Sequence, residues 1–482
     1  MGSTRRLLDE LDGVDLFDVA AEMETGPVAG GWSDMNRMGF ARRLHGSAFY
    51  LFHAGERQRT TSRPELVRRR RDGRAQAMAA FAFARVPHYC RMAAERGLSA
   101  ADIRGAADLA RLPILEPEDV RRLGDDLLPE GTRKEDLIAL ETSGSSGIPR
   151  TIHRDVRGAL LDLASLARER AVARARLGRP PSRRTAVIST PGGTSPAVAT
   201  AIRKHLRLPG PARPDERVFS VVDDPDLVLA ELVNFAPRVV YGFGSGVGEL
   251  LRIAIERGLE MPAPELVVFT SDPIPAEERR LIEERLGSVV LGSYRATEAL
   301  ALGFQCGHGT TYHLNDDVCP VRVVDDSGRP LPAGEPGSVV LSNLVCRGTV
   351  LLNYRLGDRA ALEEELCACG CPLPRLSLSV GRDYERIDLG GGRSIHYSAI
   401  VPAFDALPAW RWQVEPLGPA RLLIRIVPRE GADLAGEPER LRSRVLERTG
   451  ARIDVEIECV PELDRDQGGK VPGLARPQRG DA

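Results

Sequence analysis

Four short apolar runs lie between residues 186 and 291: Ala186-Val187-Ile188, Val239-Val240-Tyr241, Leu266-Val267-Val268-Phe269 and Val289-Val290-Leu291. Helical patterns separate them, notably Val247 to Arg257 and Ala276 to Leu286. Each run is apolar throughout rather than at alternate positions, as in a strand buried on both faces. Buried strands alternating with helices commit this stretch to an α/β fold with a mainly parallel sheet. Each run ends in small or polar residues, where open sheets of this kind place their ligands.

Other patterns flank this core. Residues 1–60 carry Trp32, Phe40, Phe49, Tyr50 and Phe52, which suggest an ordered extension rather than a tail. From Pro64 to Gly97 the spacing of Ala77, Ala80, Phe81 and Ala84 is helical, and Pro64 suits a first helical position. The run Arg68–Arg71 within it reads as a solvated helix face, since acidic residues flank it. Residues 318–380 read as all-β, with turn signals at Asp326-Ser327-Gly328 and Gly334-Glu335-Pro336-Gly337. Toward the end, two strands (411–416, 421–427), a charged helix (436–448) and a strand (452–460) make a small α+β unit. The seam falls near Gly381-Arg382-Asp383. The expected organisation is an extension (1–60), a large α/β domain with parallel-type sheets and a β-rich subdomain (61–383), and a small α+β C-terminal domain (384–482).

The 66 basic and 68 acidic residues nearly cancel, giving −2, which argues against a general nucleic-acid binder. No apolar run approaches the roughly 18 residues of a membrane helix. The start lacks an apolar stretch, so no signal peptide is expected, and neither terminus carries a lipidation pattern. Eight cysteines are too sparse for a disulfide framework, and three crowd into Cys367-Ala-Cys369-Gly-Cys371. That points to metal ligation in a reducing cytoplasm. Only three residues are lysine: Lys134, Lys204 and Lys470.

Four segments carry chemistry. Glu141-Thr-Ser-Gly-Ser-Ser-Gly-Ile-Pro-Arg150 offers backbone N–H groups and hydroxyls that can wrap a phosphate, although a flexible linker has the same composition. It is not a Walker A loop, since no Gly-Lys-Ser/Thr closes it. Gly292-Ser-Tyr-Arg-Ala-Thr-Glu298 follows a strand. There Tyr294 could stack on a base, and Thr297 and Glu298 could meet a phosphate and its Mg²⁺. In Asn353-Tyr-Arg-Leu-Gly-Asp358, an Asp after a Gly turn can accept ribose hydroxyls, or the segment is a plain hairpin turn. Gln467-Gly-Gly-Lys470 puts a lysine on a flexible loop, where it could reach a distant phosphate or carboxylate.

In this order and spacing the four segments resemble the adenylate-forming superfamily of acyl-CoA synthetases and related ligases, and more closely its phenylacetate-CoA ligase branch. The resemblance runs from about residue 65 to the end. It includes Val86-Pro-His-Tyr89, Leu112-Pro-Ile114 and Gly381-Arg382. It implies that Thr142, Ser143, Gly144, Ser145, Ser146 and Gly147 hold the β- and γ-phosphates. Tyr294, flanked by Ser293 and Arg295, would face the adenine, with Thr297 on the α-phosphate and Glu298 on Mg²⁺. Asp358 would bind the ribose with Arg382 nearby, and Lys470 would bridge the acid and the α-phosphate. Ser271 and Asp272 would border the adenine, or else cap the helix beginning near Ala276. Tyr241, Gly242, Phe243 and Gly244 would line the acid pocket, and their aromatic rings favour a flat acid.

The implied reaction is ATP-dependent formation of an acyl-adenylate, then transfer to CoA, with an amine or carrier protein as the alternative acceptor. The resemblance also implies that the small C-terminal domain is mobile. A homodimer is compatible with the branch. Some members carry a structural zinc, which Cys306, His313, Cys367 and Cys369 would hold here, with His308 and Cys371 as spares. The chain departs from the family at Arg295, usually Gly, at Tyr384 in the hinge position, and at Cys371, usually basic. The first two leave room for a non-catalytic nucleotide-binding homologue.

Overall fold

The computed structural model describes residues 39–141, 150–189, 198, 200, 215–221, 223–382, 386–405, 407–429, 431–432, 434–450, 452–465 and 471–475. Three helices open it: α1 (Gly39–Thr60), α2 (Pro64–Arg85) and α3 (Pro87–Arg96). The single helix expected from Pro64 to Gly97 is thus two. Pro87 cannot donate to the preceding turn and biases Val86 away from helical angles; Val86 is extended, at φ −108° and ψ 113°. After α4 (Pro117–Leu123) comes the hairpin β1 (Ile138–Glu141) and β2 (Thr151–Arg154). The glycine-serine segment connects the two strands next to the Glu141–Thr151 pair, and its residues 142–149 lie outside the described set. Helices α5 (Val156–Ala164) and α6 (Leu166–Leu177) follow. Phe49 of α1 packs with Leu160 and Leu161, and Tyr50 and Ala54 with Ala164 and Ala167. The described part of the extension is therefore a helix docked on the body.

The parallel strands are β3 (Arg184–Ser189), β4 (Asp215–Ser220), β5 (Val239–Phe243), β6 (Leu266–Thr270) and β7 (Val289–Ala296), in spatial order β4-β3-β5-β6-β7. Helices α7 (Pro225–Phe235), α8 (Gly244–Glu256) and α9 (Ala276–Leu286) cover one face through Leu229, Val247, Leu251 and Ile282. Helix α6 covers the other through Ala173, against Val268 and Leu291. The chain leaves β3 for its outer neighbour β4 and returns on its other flank as β5, the reversal at which an open sheet leaves a crevice.

The β-rich stretch is not a separate layer. Strands β8 (Ala299–Phe304), β9 (Tyr312–Leu314), β10 (Val321–Val324), β11 (Gly337–Leu341), β12 (Tyr354–Leu362) and β13 (Arg375–Arg382) extend the same sheet antiparallel from β7, to 11 strands in all. Periodicity could not show this, because it reports burial and not which strand is the neighbour.

A separate core forms within residues 387–455, centred on Ile424, Ile426, Leu441 and Val445. It comprises the hairpin β14 (Arg386–Gly390) and β15 (Arg393–His396), the sheet β16 (Ala409–Gly418), β17 (Arg421–Pro428) and β18 (Asp454–Cys459), and helix α10 (Glu437–Thr449). Among the described residues no helix is long and apolar enough to cross a membrane.

Candidate functional site

The Tyr294–Glu298 segment is a tight hairpin. Ala296 pairs with Ala299, so Thr297 and Glu298 form its tip between β7 and β8. Two buried donors hold that tip by its backbone. Arg154 Nη1 donates to the Glu298 carbonyl at 3.0 Å and the Thr297 carbonyl at 3.3 Å, and Asn343 Nδ2 donates to the Glu298 carbonyl at 3.0 Å. Arg154 is itself ion-paired with Asp162, and both are fully buried. The strand that leaves the glycine-serine loop is thereby tied to Thr297 and Glu298.

The Glu298 side chain is 5% exposed, and its Oε1 accepts the Tyr354 hydroxyl at 3.1 Å. Burial, then the Glu298 carboxylate, push the Tyr354 hydroxyl well above its usual range, so it stays a donor. The Tyr294 hydroxyl donates to Asp358 Oδ2 at 2.8 Å. The Tyr294 ring is 6% exposed and tilted against Tyr312, with centroids 5.8 Å apart. Asp358 lies opposite Arg382 in the β12–β13 register. Four sequence-selected positions, Tyr294, Glu298, Asp358 and Arg382, thus converge on the middle of the sheet.

Arg295 turns toward the candidate acid pocket. Its guanidinium lies 4.9 Å from the Tyr241 ring centroid, its Nε donates to Ser293 Oγ at 2.8 Å, and its Nη2 stands 3.4 Å from Glu169. Ser293 Oγ donates to the same carboxylate at 2.5 Å. Burial pulls the Arg295 pKa down, but Tyr241 and Glu169 more than offset this, so the cation persists. Glu169, on α6, was not selected from sequence; a lone glutamate in an arginine-rich helix carries no local signal.

Tyr241 to Gly244 end β5 and begin α8. A Cβ on Gly242 would lie 2.3 Å from the Ile188 carbonyl, and one on Gly244 2.2 Å from the Asp272 carbonyl. Neighbouring backbone therefore accounts for both glycines. Asp272 caps a different helix from the one expected. Its carboxylate accepts the Gly244 and Ser245 amides, at 2.9 and 3.1 Å, at the start of α8, whereas α9 begins at Pro275 without a side-chain cap. Sequence proximity suggested α9; strand adjacency across the sheet decides for α8. Ser271, just before it, adopts φ +71°, a conformation costly for a serine.

The sulfur cluster assembles across three strands. Cys306 follows β8, His313 lies in β9, and Cys367 and Cys369 lie in the β12–β13 connection. Phe304 of β8 and Arg375 of β13 both pair with His313. The four donor atoms all lie within 4.8 Å of one another. Cys306 Sγ is 3.5 Å from Cys367 Sγ, and Cys369 Sγ is 3.3 Å from His313 Nε2. A tetrahedral zinc with bonds of about 2.0–2.3 Å separates its ligands by roughly 3.5–3.8 Å, so the set fits that ion. The Cys371 amide donates to Cys369 Sγ at 3.4 Å, which makes Cys371 a supporting group. Neither it nor His308 is in the donor set. Residues 142–147, Tyr384 and Lys470 lie outside the described residues.

The 11-stranded mixed sheet and the small α+β unit recur in solved structures of acyl-CoA ligases. The chain superposes on 2-hydroxyisobutyryl-CoA ligase in the postadenylation state, in complex with 2-HIB-AMP, with a TM-score of 0.64 at 19% identity, covering 88% of this chain and 90% of that one. Against the same ligase in the thioesterification state, at the same coverage, the TM-score is 0.51 at 18% identity. Among curated proteins it is similar to phenylacetate-coenzyme A ligase of Thermus thermophilus, 24% identical over 439 residues, 84% of this chain and 96% of that protein. No family model matches the chain.

Proposed function

We propose that the protein activates a carboxylic acid with ATP to an acyl-adenylate and transfers the acyl group to CoA. The observation that carries this reading is the convergence of Glu298, Tyr354, Tyr294 and Asp358 within a fold of adenylate-forming type. In this reading Thr142 to Gly147 hold the outer phosphates. Asp358 and Arg382 hold the ribose, while Ser271, Ser293 and Tyr294 border the base. Thr297 meets the α-phosphate and Glu298 holds Mg²⁺. The carboxylate and the α-phosphate repel, and Lys470 placed between them lowers the barrier electrostatically. Mg²⁺, when bound, neutralises charge on the leaving pyrophosphate.

Tyr241 to Gly244 line the acid pocket in this reading, and Arg295 with Glu169 closes its end. In this reading the large domain spans 61–383 and the small domain 384–482, after an extension 1–60. Cys306, His313, Cys367 and Cys369 hold a structural zinc, and their thiols suit a reducing cytoplasm. The names of the relatives support CoA as acceptor over an amine or a carrier protein.

ATP–pyrophosphate exchange across an acid panel, followed by CoA-dependent AMP release, tests the two halves. The expected result is acid-dependent exchange and a CoA thioester. Exchange without CoA-dependent AMP release, but with amide formation, would select the other acceptor. No exchange with any acid would favour a non-catalytic homologue. Lys470→Ala is expected to abolish exchange while leaving the circular-dichroism melt unchanged.

A further inference from the structure

The small domain is fixed to the large one through a buried ionic cluster. Arg411, in β16, is 6% exposed and enters the large domain. Its Nε and Nη2 donate to the two carboxylate oxygens of Glu278 at 2.6 and 2.8 Å. Glu278 has no exposure and stands in the first turn of α9. Arg411 Nη2 also donates to the Ser245 carbonyl in the first turn of α8, directly after the candidate acid pocket. Glu249 of α8 lies 3.8 Å from Arg411 and pairs with Arg465. Arg429 pairs with Glu277 at 3.2 Å. Trp410 lies between two guanidiniums, Arg252 of the large domain and Arg429 of the small one, each 5.6 Å from its ring.

Gly248 bears on the same cluster. It stands inside α8, where glycine is disfavoured against alanine. A Cβ there would lie 2.2 Å from Glu278 Oε2. The helix has given up a side chain at the point where the interdomain carboxylate needs room.

The cluster also brackets the glycine-lysine loop. Arg465, just before it, is tied to Glu249. Just after it, residues 471–475 are stitched to β16. The Val414 amide donates to the Gly473 carbonyl at 2.8 Å, the Ala475 amide to the Val414 carbonyl at 2.7 Å, and Gln413 Nε2 to the Pro472 carbonyl at 3.1 Å. Arg411 lies two residues before Gln413 on that strand. Both flanks of Lys470 are therefore referred, through two arginines, to α8 and α9.

We propose that Arg411, with Glu278 and seconded by Arg465 and Glu249, is a positioning clamp that holds the small domain in the adenylation arrangement and fixes the described residues on either side of 466–470. The better superposition on the postadenylation than on the thioesterification state of the same ligase agrees with this arrangement. Withdrawing Arg411 would leave the buried Glu278 carboxylate, among the described residues, with only the more distant Arg252, 3.6 Å away, so opening the clamp carries a desolvation cost. The assignment rests on the adenylation reading for its kinetic part and not for its structural part.

The structural test is small-angle X-ray scattering with limited proteolysis on the full chain, wild type against Arg411→Gln and Glu249→Gln. A larger radius of gyration and faster interdomain cleavage in Arg411→Gln, with a weaker effect in Glu249→Gln, are expected. Scattering and cleavage identical to wild type would overturn the clamp. If Arg411→Gln does not fold, Gly248→Ala, which displaces Glu278 without touching the small domain, is expected to give the same expansion, and an unchanged profile there is equally fatal.

The kinetic test uses phenylacetate as the probe acid. In Arg411→Gln, exchange is expected to fall at least about tenfold in kcat with KM for ATP little changed. Transfer from supplied phenylacetyl-adenylate to CoA should fall much less. Equal losses in both half-reactions would show a merely structural role. If the wild type gives no exchange with this acid, the functional reading fails for it while the scattering still decides the clamp.

Discussion

At the scale of single residues, buried charge is the main economy of this chain. Asp317 has no exposure and meets Arg168 at 2.7 Å, Arg74 at 3.4 Å, Arg57 at 3.7 Å and Arg70 at 3.8 Å. Burial alone would push its carboxyl up, but Arg168, Arg57 and Arg74 outweigh burial and hold it far below the usual range. A depressed folded pKa contributes stability that is present above the unfolded value, near 3.9, and lost as pH falls below it. Asp317→Asn is expected to cost about 3–5 kcal/mol near pH 7, because it leaves buried guanidiniums uncompensated. In urea melts the gap from wild type should narrow below about pH 4. At Glu298, Tyr354→Phe removes the hydroxyl that orients the carboxylate. The Mg²⁺ concentration for half-maximal exchange should rise about tenfold, the usual effect of losing an outer-shell partner, with an unchanged Mg²⁺ dependence counting against it. The rarity of lysine is partly explained at this scale. Lys134 pairs with Asp125 at 2.6 Å near the surface, a role arginine could fill. Lys470 is the lysine for which the proposed adenylation calls for a compact ammonium.

At the scale of elements, neighbours decide what the local code leaves open. Strands β3, β5, β6 and β7 and helices α8 and α9 fall where the apolar runs and helical spacing put them, since burial on both faces writes itself into composition. The break between α2 and α3 was legible in Val86-Pro87 as well, and the helical spacing masked it. The Asp272 cap was not legible, because its partners Gly244 and Ser245 are supplied by an adjacent strand end. Asp272→Ala is expected to cost about 1 kcal/mol of stability and to raise KM for the acid more than KM for ATP, read from exchange kinetics. Gly242→Ala should be far worse, since the strand pairing leaves no room for a Cβ beside Ile188. A melting temperature near wild type would contradict that packing.

At the scale of the whole molecule, the Cys306, His313, Cys367 and Cys369 cluster joins parts of the antiparallel half of the sheet that are distant in sequence, and the proposed zinc would staple them. Purified protein is expected to carry about one zinc per chain by plasma mass spectrometry. Cys367→Ser should lose it, with hydrogen exchange accelerating in β8, β9 and β13 while the parallel half is unaffected. Full metal content in that variant would remove Cys367 from the ligand set.

The sequence by itself determined the layer type, the positions of four of the five parallel strands, and the choice of the four Cys and His residues that the fold gathers into one cluster. Each is written in a local pattern or in a fixed order of motifs. Only the tertiary structure decided that the β-rich stretch continues the same sheet, that Arg295 finds Glu169, that Asp272 caps α8 and that Arg411 clamps the small domain to Glu278. Each of those is a contact between residues far apart in the chain. Pairing of that kind depends on which surfaces meet, and no local pattern encodes it.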